Sequence, residues 1–168
     1  MPNGRVDEDE RFMRLALALA RRAGERGEVP VGAVVVSGGR VIARGGNRPI
    51  RNNDPTAHAE VVAIRKAARR RGNYRLSDCD LYVTLEPCAM CLGAVVQARL
   101  RRVAYGASDP KAGAVRSAMR FPFGKLNHRP DLTGGVLADD CGRLLKEFFA
   151  GKRKKRAPVA EQPLPTGS

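Results

Sequence analysis

The chain has 168 residues, with 31 Lys and Arg against 17 Asp and Glu and a formal charge of +14. That length lets one domain bury a core. An apolar content of 43% excludes a chain too polar to fold, and no apolar run nears the roughly 18 residues of a membrane span. The charge implies a polyanionic partner, above all nucleic acid, because each neutralised phosphate releases counterions. Arginines that merely solvate a face are the alternative, but the dense runs RKAARRRGNYR (65–75), RLRR (99–102) and KRKKR (152–156) favour nucleic acid.

In chain order, DEDERFMRLALALARRAGERG (7–27) spaces Phe12, Leu15, Ala16 and Leu19 as one face of a helix. VPVGAVVVSGGRVIARGGN (29–47) predicts a two-stranded hairpin turning at Gly38-Gly39. The polar stretch RPIRNNDPT is irregular and leads into a second helix over about 57–71. DLYVTL (80–85) is a third strand, followed after Pro87 by a helix to about Ala98, and RRVAYGA (101–107) is a fourth. Residues 108–131 show no period beyond one short helix, and loops of that length usually carry function. DLTGGVL reads as a fifth strand, and a closing helix from ADDC turns Leu144, Leu145, Phe148 and Phe149 inward. The order implies a three-layer α/β arrangement, with residues 1–156 as one domain and 157–168 as a disordered tail.

The N-terminus MPNGRVDEDER lacks the basic start and apolar stretch of a secretory signal, so a cytosolic protein is expected. Its four cysteines are then not a disulfide framework, and Cys79 and Cys141 read as buried thiols. Cys88 and Cys91 are different. They open a helix after Glu86-Pro87, three apart on one face, where the helix N-terminus favours thiolates. That segment alone fits a zinc site and a thioredoxin-like redox couple equally well. His58, one of only two histidines, decides between them together with Glu60 at the start of the preceding helix. Side chains near a helix N-terminus lean beyond its tip, and two parallel strand–helix units bring both tips to one sheet edge. His58, Cys88 and Cys91 are then three ligands for one Zn²⁺ with a fourth position for water, and Glu60 is the proton shuttle.

H-x-E followed by P-C-x-x-C is the signature of zinc-dependent nucleobase deaminases. The segments EVPVGAVVV, GNRPI, DPTAHAE, NYRLSDCDLYVTLEPCAMCLGA, NHR and GGVLADDCGRLLKEFF, spread over most of 8–152, resemble the bacterial tRNA-specific adenosine deaminase family more narrowly. The resemblance implies a cytidine deaminase-like α/β/α fold with a mixed central sheet of about five strands. It implies one zinc per chain and hydrolytic conversion of adenosine to inosine at the wobble position of a tRNA anticodon. By the same resemblance Asn47 reads the purine, Val29 packs against the flipped base, and backbone around Leu85 and Glu86 holds the reacting centre. Asp109 and Lys111 match contacts to the anticodon loop, the partner is the tRNA anticodon stem-loop, and the chain is a homodimer with the third helix near the interface.

One region departs from the family pattern. Ser108 stands where an Arg is usual, Arg116 lies near the glycine, and RFPFGKLNHR is about a residue short. Phe121 and Phe123 there either stack on bases or pack internally. Two competing readings remain: a deaminase of free bases or nucleosides, which would not need the basic clusters, and a zinc-stabilised RNA-binding module, which would not need Glu60.

Overall fold

A computed structural model describes residues 3–155; the expected tail, 157–168, lies outside the described residues. Helix α1 (Asn3–Glu25) precedes the hairpin β1 (Gly32–Ser37) and β2 (Arg40–Gly46). A single turn, α2 (Pro49–Asn52), leads to α3 (Ala59–Arg71), then β3 (Cys79–Leu85), α4 (Ala89–Ala98) and β4 (Arg102–Ala107). A 3₁₀ turn (Phe123–Lys125), β5 (Asp131–Thr133) and α5 (Ala138–Lys155) close the fold. Among the described residues no helix is long and apolar enough to cross a membrane.

The hairpin turn is where two consecutive glycines place it. Gly38 and Gly39 have φ of 55° and 75°, both in the left-handed region that a twisted two-residue hairpin requires. The sheet order is β2-β1-β3-β4-β5. Strand β1 is antiparallel to both β2 and β3, whereas β3, β4 and β5 run parallel. Four strands therefore point one way and β1 alone opposes them. The helices that follow β2 and β3 both begin at the edge where those strands end.

Burial on both faces makes the central strands apolar without alternation. Ala33, Val35, Leu81 and Val83 face α3 and α4, in a core with Ala63, Ile64, Ala67 and Val95. Val34, Val36 and Tyr82 face the other way, against Phe12 of α1. Met13, Ala16 and Leu17 of α1 meet Ala107 and Cys141, which brings α5 onto the same face. Helices thus cover both sides of a five-stranded mixed sheet, the three-layer arrangement expected. Close packing leaves no room at Gly45, where a Cβ would collide with the Ala59 carbonyl oxygen of α3.

Three local expectations are corrected. Leu15 is 38% exposed, and the buried face of α1 instead uses Met13 and Leu17 beside Phe12 and Ala16. The fifth strand stops at Thr133, because Gly134 presses on the Tyr105 ring and Gly135 and Leu137 take positive φ. Phe149 is 43% exposed rather than inward.

Candidate functional site

Two helix N-termini supply the site. His58 is the N-cap residue of α3 and Cys88 the N-cap of α4, and neither side chain caps its own helix. They turn to each other instead: His58 Nδ1 lies 3.6 Å from Cys88 Sγ and 3.5 Å from Cys91 Sγ. All three donor atoms fall within 4.8 Å of one another. A tetrahedral zinc, with bonds of about 2.3 Å to sulfur and about 2.05 Å to nitrogen, needs N···S edges of about 3.6 Å. The donor set therefore fits zinc in both chemistry and spacing.

Cys88 is drawn down to about 4, first by a hydrogen bond from the Cys91 thiol and then by His58, against the opposing effect of burial. Cys91 is pushed far up, by holding the proton it donates to Cys88 and by burial. The hydrogen bond to Cys88 likewise raises His58. Metal binding at such a cluster releases these protons and leaves thiolates and neutral imidazole. By contrast Cys79 and Cys141 are buried, pushed up to about 11 and about 12 mainly by desolvation, and touch none of this.

Glu60 follows His58 on the first turn of α3 and is only 4% exposed. Burial raises its pKa, partly opposed by hydrogen bonds from its own backbone and from Cys91. A carboxyl so placed takes and returns a proton more readily near neutrality than a solvated one. Asn47, just past β2, accepts the Ala59 N–H on its side-chain oxygen at 3.0 Å. That bond answers one orphan donor of α3 and leaves the Asn47 amide NH₂ as the group free to read a ligand.

A cavity of ≈ 150 Å³ opens over these groups, lined by Val29, Asn47, His58, Glu60, Leu85, Glu86, Cys88 and Asp109. Val31 and Ala112 complete the lining; neither has a sequence signal beyond its apolar character. The profile of the family "Cytidine and deoxycytidylate deaminase zinc-binding region" matches residues 6–107. The chain is 53% identical over 148 residues to a tRNA-specific adenosine deaminase of Agrobacterium fabrum, covering 87% of this chain and 97% of that protein. A solved structure from a study of A-to-I editing by tRNA:A34 deaminases superposes with a TM-score of 0.76 at 51% identity, over 80% of this chain and 99% of that one. This chain belongs to the tRNA-specific adenosine deaminase family. A guanine deaminase from Nitrosomonas europaea is a more distant neighbour, with a TM-score of 0.74 and 28% identity over 84% of each chain.

In this family member Glu86 has a second task that its motif does not announce. It is 2% exposed, and its carboxylate accepts N–H bonds from Asp109 at 3.3 Å and from Val115, Arg116 and Ser117 at 3.1 Å each. The Ser117 hydroxyl donates to it as well. Burial would raise the Glu86 pKa, but these donors outweigh it and hold the group below the usual carboxylate range. The backbone N–H of Glu86 is committed to the Ala107 carbonyl at 2.8 Å. Residues 109–117 are thus wrapped on one carboxylate, and Gly113 sits so close that a Cβ would collide with it. Asp109 in turn accepts from the Lys111 and Ala112 N–H groups.

Lys111, also expected at the site from the sequence, lines a different cavity instead. It joins Phe149, Lys152 and Arg153 around a surface cavity of ≈ 570 Å³. Cys91 is buried behind the cavity rather than in its wall. Phe121 and Phe123, with ring centroids 4.8 Å apart, pack onto Leu92 and Val96 of α4. His128 binds the Leu100 carbonyl at 2.7 Å and takes no part in the site.

Proposed function

We propose that this protein hydrolytically deaminates adenosine to inosine at the wobble position of tRNA anticodons, with one zinc held by His58, Cys88 and Cys91. The observation that carries the reading is a buried carboxyl, Glu60, beside a convergent His-Cys-Cys set in a cavity that also presents Asn47. Bound there, zinc supplies Lewis acidity and lowers the pKa of a water toward neutrality. Glu60 takes one proton of the attacking water and passes it to the ring nitrogen beside C6. It then takes the second proton, left on the new C6 hydroxyl, and delivers it to the amino group, so that the C–N bond breaks, ammonia leaves and the C6 oxygen becomes the carbonyl of inosine. Asn47, its oxygen fixed on Ala59, donates its NH₂ to a purine acceptor. Val29 packs on the base, the Leu85–Glu86 backbone walls the reacting centre, and Asp109 and Lys111 meet the anticodon loop from the rim.

The base reaches the cavity only when splayed out of the RNA, so the partner in this reading is the anticodon stem-loop. A homodimer with α4 at its interface belongs to the same reading. Met90, 38% exposed on α4, and the open space at Gly93 support it, and the mass in solution checks it. Deamination of free bases is the competing reading, favoured by the guanine deaminase neighbour at its lower identity.

The test is to incubate the protein with an adenosine-wobble stem-loop, free adenosine and free cytidine. Inosine should form in the stem-loop alone, and Glu60→Ala should cut turnover by roughly 10²–10⁴-fold. Metal analysis should find about one zinc per chain, lost in Cys88→Ala. Turnover of free nucleoside with inert RNA would overturn the substrate, and full activity in Glu60→Ala the mechanism.

A further inference from the structure

A second cavity, of ≈ 160 Å³, lies beside the first, and Asn47 lines both. Its walls carry six cations: Arg22 from α1, Arg26 in the turn just past it, Arg44 from β2, Arg48 and Arg51 around α2, and Lys66 from α3. No acidic side chain lines it. None of the six makes an ion pair among the described residues, although arginines elsewhere do. The nearby carboxylate of Glu28, 2% exposed, is spent on the Ile50 and Arg51 backbone N–H groups at 3.1 and 3.0 Å. Arg48 adds a sharper sign, since its Nε is buried and has no hydrogen-bond partner among the described residues.

Six gathered cations repel one another, and a buried guanidinium donor without an acceptor is costly. One oxyanion relieves both, and phosphate oxygens match the arginine fork. Gly46 on the cleft floor keeps the space open: a Cβ there meets nothing nearer than the Leu19 carbonyl oxygen at 3.5 Å. We infer that this cleft seats a backbone phosphate flanking the nucleotide whose base enters the Glu60 cavity. The inference rests on the reading above that the substrate is an RNA strand, and it adds which phosphate is gripped and by which residues. Because Asn47 lines both cavities, a strand with its base in one can lay its adjoining backbone over the other. Free phosphate has the same oxyanion chemistry and is the rival source.

The experiment compares wild type with Arg26→Ala/Arg44→Ala, both exposed positions, and with Gly46→Phe, which fills the cleft without removing charge. Stem-loop KM should rise roughly tenfold or more in each, with kcat little changed. For the double variant the slope of log Kd against log salt, from anisotropy of a labelled stem-loop, should fall by about 1. An uncharged methylphosphonate at the flanking linkage should cost wild type a similar factor and the double variant nothing more. Arg69→Ala, on the far end of α3, should match wild type. Active wild type whose KM and salt slope are unchanged by both cleft variants would overturn the cleft alone. Wild type inert on the stem-loop would overturn the parent reading and this one with it. Inorganic phosphate that raises the melting temperature of wild type but not of the double variant, with no methylphosphonate effect, would assign the cleft to free anion and overturn the backbone assignment.

Discussion

The two ends of the sheet use arginine in opposite ways. Where β3, β4 and β5 begin, Arg71 pairs with Asp78 at 2.8 Å, Arg101 with Asp80 at 2.9 Å and Arg102 with Asp9 at 2.7 Å. Where β2 and β3 end, six cations stand around one cleft with no carboxylate partner among the described residues. Of the basic runs at 65–75 and 99–102, Arg71, Arg101 and Arg102 serve the paired end and Lys66 alone lines the cleft. The unpaired set is drawn from positions 22, 26, 44, 48, 51 and 66, which no window of the sequence shows together. A charged run is therefore a poor guide to where a polyanion sits, and pairing is a better one. At the starting end charge is spent on holding the fold; at the finishing end it is left free for a ligand.

The largest effect that tests this division is Asp9→Ala. Asp9 and Arg102 are buried at 6% and 5% exposure. Arg102 grips both carboxylate oxygens, at 2.8 and 2.7 Å, while the Tyr82 hydroxyl donates to Asp9 at 2.7 Å. Removing the carboxylate strands a buried guanidinium, at a cost of about 3–5 kcal/mol. Urea denaturation should show the midpoint fall at unchanged slope, with kcat of the remaining folded protein unaltered. Acid should mimic it. Burial alone would raise the Asp9 pKa, but the bonds to Arg102 and Tyr82 win and hold it below 3.8. The contribution of the pair is then intact above that pH and is lost as pH falls through the lower folded value. A fall in kcat with stability intact would break the division between the two ends.

Much of this was legible in the sequence, and for physical reasons. Gly38-Gly39 fixed the hairpin, because only a left-handed pair closes it. The expected helices over 57–71 and after Pro87 are α3 from Ala59 and α4 from Ala89, since apolar period and a strand-to-helix break agreed there. The metal-site residues could be read because their chemistry demands particular residue types at fixed spacing. Other features had no local signature. Helix α1 begins at Asn3 rather than near Asp7, and its buried face is turned to include Met13, because the sheet beneath it rather than its own pattern sets the rotation. The Glu86 clamp was hidden because its partners are backbone N–H groups of a loop without period. The arginine cleft was hidden because its walls come from α1, β2, α2 and α3, which are far apart in the chain and meet only in the packed fold.

Glu86→Gln is a smaller change that sharpens the comparison from the other end. The substitution keeps shape but exchanges one acceptor oxygen for an NH₂ facing N–H donors from 109 to 117, and leaving such groups unmet costs about 1–3 kcal/mol. Global stability should fall by less than in Asp9→Ala, because the loop lies on the surface of the fold and its opening need not carry the core with it. Hydrogen exchange should localise the loss to the Val115, Arg116 and Ser117 amides. Since Asp109 lines the Glu60 cavity and its own N–H is tied to Glu86, a loosened loop should raise KM for the stem-loop more than it lowers kcat. Zinc content should stay at about one per chain, because none of the donor atoms moves with that loop. A variant that lost zinc or unfolded globally would make Glu86 part of the core and erase its distinction from Asp9. With KM raised and the metal retained, the two buried acids serve different ends: Asp9 holds the fold together, and Glu86 holds the 109–117 loop against it.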